Sequence, residues 1–163
     1  MRYILTALLT IVLGATAAEA CSCYTPAGPE EMANIHLDRS DIAFEGRVTE
    51  LAIVRQDDAP IDSSRNEKQV YARALLRVSA VWKGELAEET VVYTPLSQGS
   101  CGAEFILGEC IIVFAKRQDG AIYTDRCMGT WSNQPRGAYL GGLGRPELVL
   151  DVPECNFATI YRR

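Results

Sequence analysis

Cys21-Ser22-Cys23 directly follows Ala18-Glu19-Ala20, placing two half-cystines at the expected start of a mature chain. Residues 1–20 read as a secretory signal. Arg2 supplies the positive end, Ile4 to Leu13 is an apolar run of h-region length, and Ala18-x-Ala20 offers the small residues a signal peptidase requires. Cleavage after Ala20 leaves Cys21 with a free α-amino group, and a disulfide through its own side chain would hold that amine in place. A fixed amine beside its own carbonyl is a bidentate metal ligand. A Cys after a signal is also the acylation site of bacterial lipoproteins. That pathway wants Leu three residues ahead and small residues between, so Ala18 and the charged Glu19 make a lipid anchor through Cys21 the less favoured fate.

All six cysteines lie beyond residue 20, and an even number in an exported chain favours disulfides over thiol chemistry. The expected location is therefore secreted or periplasmic. Residues 21–163 suffice for one compact domain with its own core. A formal net charge of −5 argues against nucleic acid as a partner, because that affinity rests on Lys and Arg neutralising phosphates. No second apolar run approaches the roughly 18 to 20 residues that span a bilayer, so no transmembrane segment is expected after signal removal.

Along the chain, Pro29-Glu30-Glu31 opens a short helix through about Asp38, with proline and acidic residues suited to its first turn. Ile42, Phe44, Gly46 and Val48 share one face of a strand, against Ala43, Glu45 and Arg47. The phase slips near Thr49-Glu50, where a bulge is expected, and Leu51 and Ile53 become the apolar set. Gln56 to Asn66 reads as an exposed hairpin tip. Val70 to Trp82 alternates over its whole length, with Val70, Ala72, Ala74, Leu76, Val78, Ala80 and Trp82 on one face. So long a strand is expected to coil around a barrel. Thr90 to Thr94 and Ala121 to Asp125 are shorter strands. Cys110 to Ala115, continuously apolar, suits a central one. The stretch from Gly129 to Pro146 is rich in Gly and Pro and reads as a tail, with an extra strand at Leu148 to Val152. Several strands, short turns and one small helix predict a mainly β, small-barrel domain.

These features resemble the netrin-like domain group, specifically the N-terminal domain of the tissue inhibitors of metalloproteinases. The matching stretches are Cys21-Ser22-Cys23, Ser40 to Val48, Val81-Trp82-Lys83-Gly84, Val92-Tyr93-Thr94-Pro95 with Cys101-Gly102, Gly108, and Gly120 to Thr124 before Cys127. They cover about two thirds of the mature chain in the family's order. The resemblance implies an OB-like, five-stranded, closed or partly open barrel with one short helix, braced by disulfides. By position it implies Cys21–Cys101 and Cys23–Cys127, and leaves Cys110–Cys155 to pin the tail. In the chain-entropy model one such long-loop bridge contributes roughly 4 to 5 kcal/mol. The chain departs from the family in lacking a half-cystine shortly after the CxC, and it lacks the animal inhibitors' C-terminal subdomain.

In the animal inhibitors, the first residue's amine and carbonyl chelate the catalytic zinc of the target protease. Carried over by position, Cys21 is the chelator and Ser22 enters the specificity pocket. Cys23, Tyr24, Ser97, Ser100 and Cys101 complete the contact ridge. The chemistry is sound, since a catalytic zinc keeps a position open. An α-amine of reference pKa about 7.7 to 8.0 is partly neutral near pH 7. The implied partner is a zinc metalloprotease or another extracytoplasmic protein, with no cofactor and no intrinsic metal. The alternative is that the CxC only staples the terminus of a non-inhibitory binding module. Other readings are weaker. His36, the sole histidine, suits packing or surface better than ligation. Asp57, Asp58 and Asp62 lack an EF-hand spacing. Cys-Ser-Cys lacks the two intervening residues of dithiol enzymes. Trp82 is a core candidate; Trp131, in a Gly-rich loop, is a contact candidate for which packing is the favoured reading. No GxSxG, HExxH or P-loop occurs, and a single His limits triad schemes, so no enzyme is expected.

Overall fold

Each alternating segment finds its partner in one ring of strands. The computed structural model describes Cys23, residues 28–60, 69–96, 101–130 and 134–150, and Cys155. Helix α1 (Pro29–Arg39) leads into β1 (Ile42–Arg55), a 3-10 turn (Gln56–Asp58) and β2 (Val70–Lys83). Strands β3 (Glu89–Pro95), β4 (Cys110–Gln118) and β5 (Ala121–Tyr123) follow, then a 3-10 turn (Arg126–Met128), α2 (Arg136–Leu143) and β6 (Leu148–Val149). The ring runs β1-β2-β3-β5-β4 and closes through β1–β4; β3 and β5 are parallel and the other pairs antiparallel. This is an OB-like five-stranded barrel, with β6 added to β2 beyond the reach of β3.

Two layers of apolar contact organise it. Ile42, Phe44, Val48, Ala74, Leu76, Val78, Val81, Val92, Ile111 and Val113 fill the barrel. Ala43, Ala80, Trp82, Ile112 and Phe114 point outward and are covered by Met32 and Ala33 of α1 and Tyr139, Leu140 and Leu143 of α2. β4 is thus buried on both faces, which is why its sequence is continuously apolar rather than alternating. The bulge expected after Val48 is present as a register shift between Val48 and Glu50. A second shift was not legible. Glu45 pairs with Ala80 and Gly46 with Val78, so Ser79 is the extra residue. The single face predicted for β2 therefore breaks there: Val78 and Val81 enter the barrel, while Ala80 and Trp82 turn out beneath the helices.

Among the described residues there are two helices rather than the one expected, because the Gly-rich stretch after Gly129 is not simply a tail. Tyr139, Leu140 and Leu143 form one buried helical face. Gly142 is required by close packing, since a Cβ there would sit 2.4 Å from the Glu30 carbonyl oxygen of α1. Within the tip of the β1–β2 hairpin, Ala59 packs with Tyr71, Tyr93 and Ala121. Asp62 and Trp131 lie outside the described residues.

Glu45, placed by alternation opposite the barrel interior, is completely buried. Its carboxylate accepts from Arg136 Nε of α2 and from Ser79 Oγ at 3.2 Å. The same guanidinium donates to the Cys155 carbonyl at 2.6 Å, and Cys155 is disulfide-bonded to Cys110 of β4. One ion pair thus joins barrel, second helix and tail. Arg136→Leu leaves a buried carboxylate unpaired and is expected to cost roughly 2 to 4 kcal/mol in urea unfolding. Glu45→Gln, which keeps the shape and an acceptor, is expected to cost less.

Candidate functional site

The end of the barrel where β3 and β5 finish is built around sulfur. β3 ends at Pro95, with one last bond from the Leu96 amide to the Val70 carbonyl of β2 at 2.8 Å. Buried Thr94 then accepts the Ala103 amide on Oγ1 at 2.7 Å, folding the chain back against the strand. The Arg126 amide donates to the Cys101 carbonyl at 2.6 Å, and the Thr124 amide to the Tyr93 carbonyl at 2.9 Å. Cys101 is therefore held between the end of β3 and the turn after β5. That turn is capped by Asp125, whose Oδ1 accepts the Met128 amide at 2.8 Å. Burial pushes the Asp125 carboxyl above the ordinary carboxylate range, opposed by hydrogen bonds from the Met128 and Cys127 amides. Gly129 ends the turn at φ 92°, in the left-handed region.

Cys127 on this turn is bonded to Cys23 across 104 residues of sequence, with Cα atoms 5.1 Å apart. The Sγ atoms of Cys23, Cys101 and Cys127 all lie within 4.8 Å of one another. All three are disulfide-bonded, so their sulfurs are committed to cross-links rather than to a metal, which needs thiolates. Cys23–Cys127 and Cys110–Cys155 are both present. Cys21, Ser22, Tyr24, Ser97 and Ser100, and with Cys21 the expected Cys21–Cys101 bridge, lie outside the described residues. Of the expected ridge the structure thus places Cys23 and Cys101, and brings their sulfurs together.

An apolar rim, not singled out by the sequence reading, surrounds this end. Beyond the reach of β4, β1 continues in its ladder with β2, and from Thr49 to Ile53 it is exposed. Leu51 and Ile53 pair with Ala74 and Ala72, so their face continues the barrel interior into solvent, and Ile53 is 76% exposed. Leu96 bonds to Val70 beside them. Ile106 and Leu107 stand on the turn before β4, which extends the ladder to Val48. Beneath that turn Phe105 packs onto the barrel core. Of the large exposed apolar side chains among the described residues, only Leu148 and Val149 on β6 lie away from this end. The signal in the sequence was the phase slip itself. After the bulge, apolar residues continue on a stretch of β1 that β4 no longer flanks.

His36, for which packing or a surface position was favoured over ligation, is buried on α1. Trp82 is buried and donates its Nε1–H to the Gly144 carbonyl at 3.0 Å. Among the described residues no helix is long and apolar enough to cross a membrane. Comparison of the chain with protein-family models and with curated proteins finds no match.

Thr94→Val keeps the volume of Thr94 but removes the acceptor for the buried Ala103 amide. It is expected to cost about 1 to 3 kcal/mol in chemical denaturation. Hydrogen exchange should report selective loss of protection at Ala103.

Proposed function

We propose that this protein is an exported binding barrel of the metalloprotease-inhibitor type, which engages its target through the sulfur-braced end. The observation that carries this reading is a coincidence of place. The disulfide that fixes the segment next to Cys21 and the apolar rim of Leu51, Ile53, Leu96, Ile106 and Leu107 share one end of the molecule. Exposed apolar side chains gathered at one end mark interaction surfaces. A ridge held by covalent bonds loses little conformational freedom on binding.

In this reading the chain resembles the N-terminal domain of the tissue inhibitors of metalloproteinases. The α-amine and carbonyl of Cys21 occupy the open position on the target's zinc, and Ser22 probes the adjacent pocket. Tyr24, Ser97, Ser100 and the apolar rim add contact area around them. The protein contributes no catalytic group and holds no cofactor of its own. Disulfides suit an oxidising, extracytoplasmic compartment.

A second reading, a binding module that does not inhibit, is favoured by the rim itself, since apolar area recognises a protein partner with or without a zinc ion. The two separate in one assay against secreted zinc endopeptidases, using protein that begins at Cys21 and protein with one alanine ahead of it. Under the inhibitor reading, the added residue displaces the chelating amine and weakens inhibition by about 100-fold or more, near 2.7 kcal/mol. Ile53→Asp should weaken binding under both readings. Absence of inhibition by the protein beginning at Cys21, with target capture retained and lost in Ile53→Asp, would leave the binding module.

A further inference from the structure

His36 is the only histidine in the chain, and it occupies an unusual seat. The residue is 6% exposed, and its Nε2 is buried with no hydrogen-bond partner. One side of the ring faces Phe114 of β4, with centroids 5.4 Å apart. The ring also meets Gly129 so closely that a Cβ at that position would lie 2.4 to 2.8 Å from three ring atoms. Gly129 is the C-terminal residue of the turn bearing Cys127, and Cys127 holds Cys23. The imidazole is thus wedged between the barrel and the anchor of the N-terminal segment.

A neutral imidazole tolerates this seat, with one nitrogen left unpaired. An imidazolium does not, because it would place a charge and a second N–H in an apolar contact with no acceptor. Among the described residues no counter-charge acts on it. Arg39, on the same helix, opposes protonation. β4 presents Phe114, and α2 presents Tyr139 behind it, whose hydroxyl burial pushes up to about 12, so it stays neutral. The turn presents Gly129, with Asp125 and Arg126 further along it.

We propose that His36 is an acid-operated latch on the N-terminal anchor: proton uptake at Nε2 expels the ring from its seat against Gly129 and frees the turn that carries Cys127. The proton comes from solvent, and no covalent bond changes. Burial, then Arg39, holds the folded-state pKa of His36 below its ordinary value of 6.5. The open state therefore takes up the proton first. Closure of the latch is fully favoured above about pH 6.5, and is progressively lost as pH falls from there through the lower folded-state value. This inference goes beyond the proposed function and needs no target protein.

The test uses the exported chain with its disulfides intact. A phosphine reductant is applied at about pH 7.5 and about pH 5, where an unperturbed histidine changes charge. Alkylation and peptide mapping then give the reduction rate of Cys23–Cys127 relative to Cys110–Cys155 in the same molecule. The latch predicts that this ratio rises several-fold at the acid pH, and that His36→Gln and His36→Phe abolish the rise. An unchanged ratio, or an equal rise in the variants, overturns it. Should both variants fail to fold, the lone imidazole C2–H resonance of the wild-type chain decides. A midpoint below 6.5 is expected, and one at or above 6.5 contradicts the latch.

Discussion

The free edge of β4 is the constraint on which this structure turns. From Cys110 to Ala115 the strand pairs with β1 on one side, while β5 reaches only Lys116 to Gln118 on the other. The backbone groups of Ile112 and Phe114 face that gap in the buried middle of the domain, where an unmade hydrogen bond is costly. The segment following β5 fills it with side chains in place of a strand. Gln134 donates to the Ile112 carbonyl at 2.9 Å and accepts its amide at 3.1 Å, as a peptide group would. Thr130 accepts the Phe114 amide at 2.9 Å, and Thr124 and Thr130 both donate to the Phe114 carbonyl.

Because one segment does this, everything attached to it is placed at once. Between Thr124 and Thr130 lies the turn with Cys127, which fixes Cys23, and Gly129, which seats His36. Directly after Gln134 comes α2, whose Arg136 reaches Glu45 and the Cys155 carbonyl and whose apolar face closes the outer layer. The N-terminal anchor, the second helix and the tail are three consequences of closing one strand edge. The apolar rim has a separate origin. Past the bulge after Val48, β1 runs beyond its pairing with β4, which leaves Leu51 and Ile53 exposed.

Much of the barrel was legible because local pattern and burial agree along β1, β4 and the first part of β2. The bulge near Thr49 was readable because polar residues interrupt the alternation. The shift at Ser79 was not, because Ala80, Val81 and Trp82 are all apolar and either phase looks acceptable. α2 was hidden by its glycines, which read as a loop until a neighbouring helix explains Gly142; the spacing of Tyr139, Leu140 and Leu143 was the overlooked signal. The burial of Glu45, set by alternation on the face opposite the apolar set, was not legible because its partner Arg136 lies 91 positions away. The cysteine framework marked where the terminus is held, since cross-links leave a trace in composition. The rim did not stand out, because exposure is a property of the fold rather than of any short stretch.

Amide hydrogen exchange at Ile112 and Phe114 tests the central claim most directly. If side chains of Thr130 and Gln134 replace a neighbouring strand, both amides should exchange within about tenfold of Ile111 and Val113, which face β1 by alternation, and open only with the global unfolding. Exchange at Ile112 and Phe114 faster than at those neighbours by about a thousandfold or more would show an open edge. In that case the segment from Thr124 to Arg136 would not be what closes the barrel.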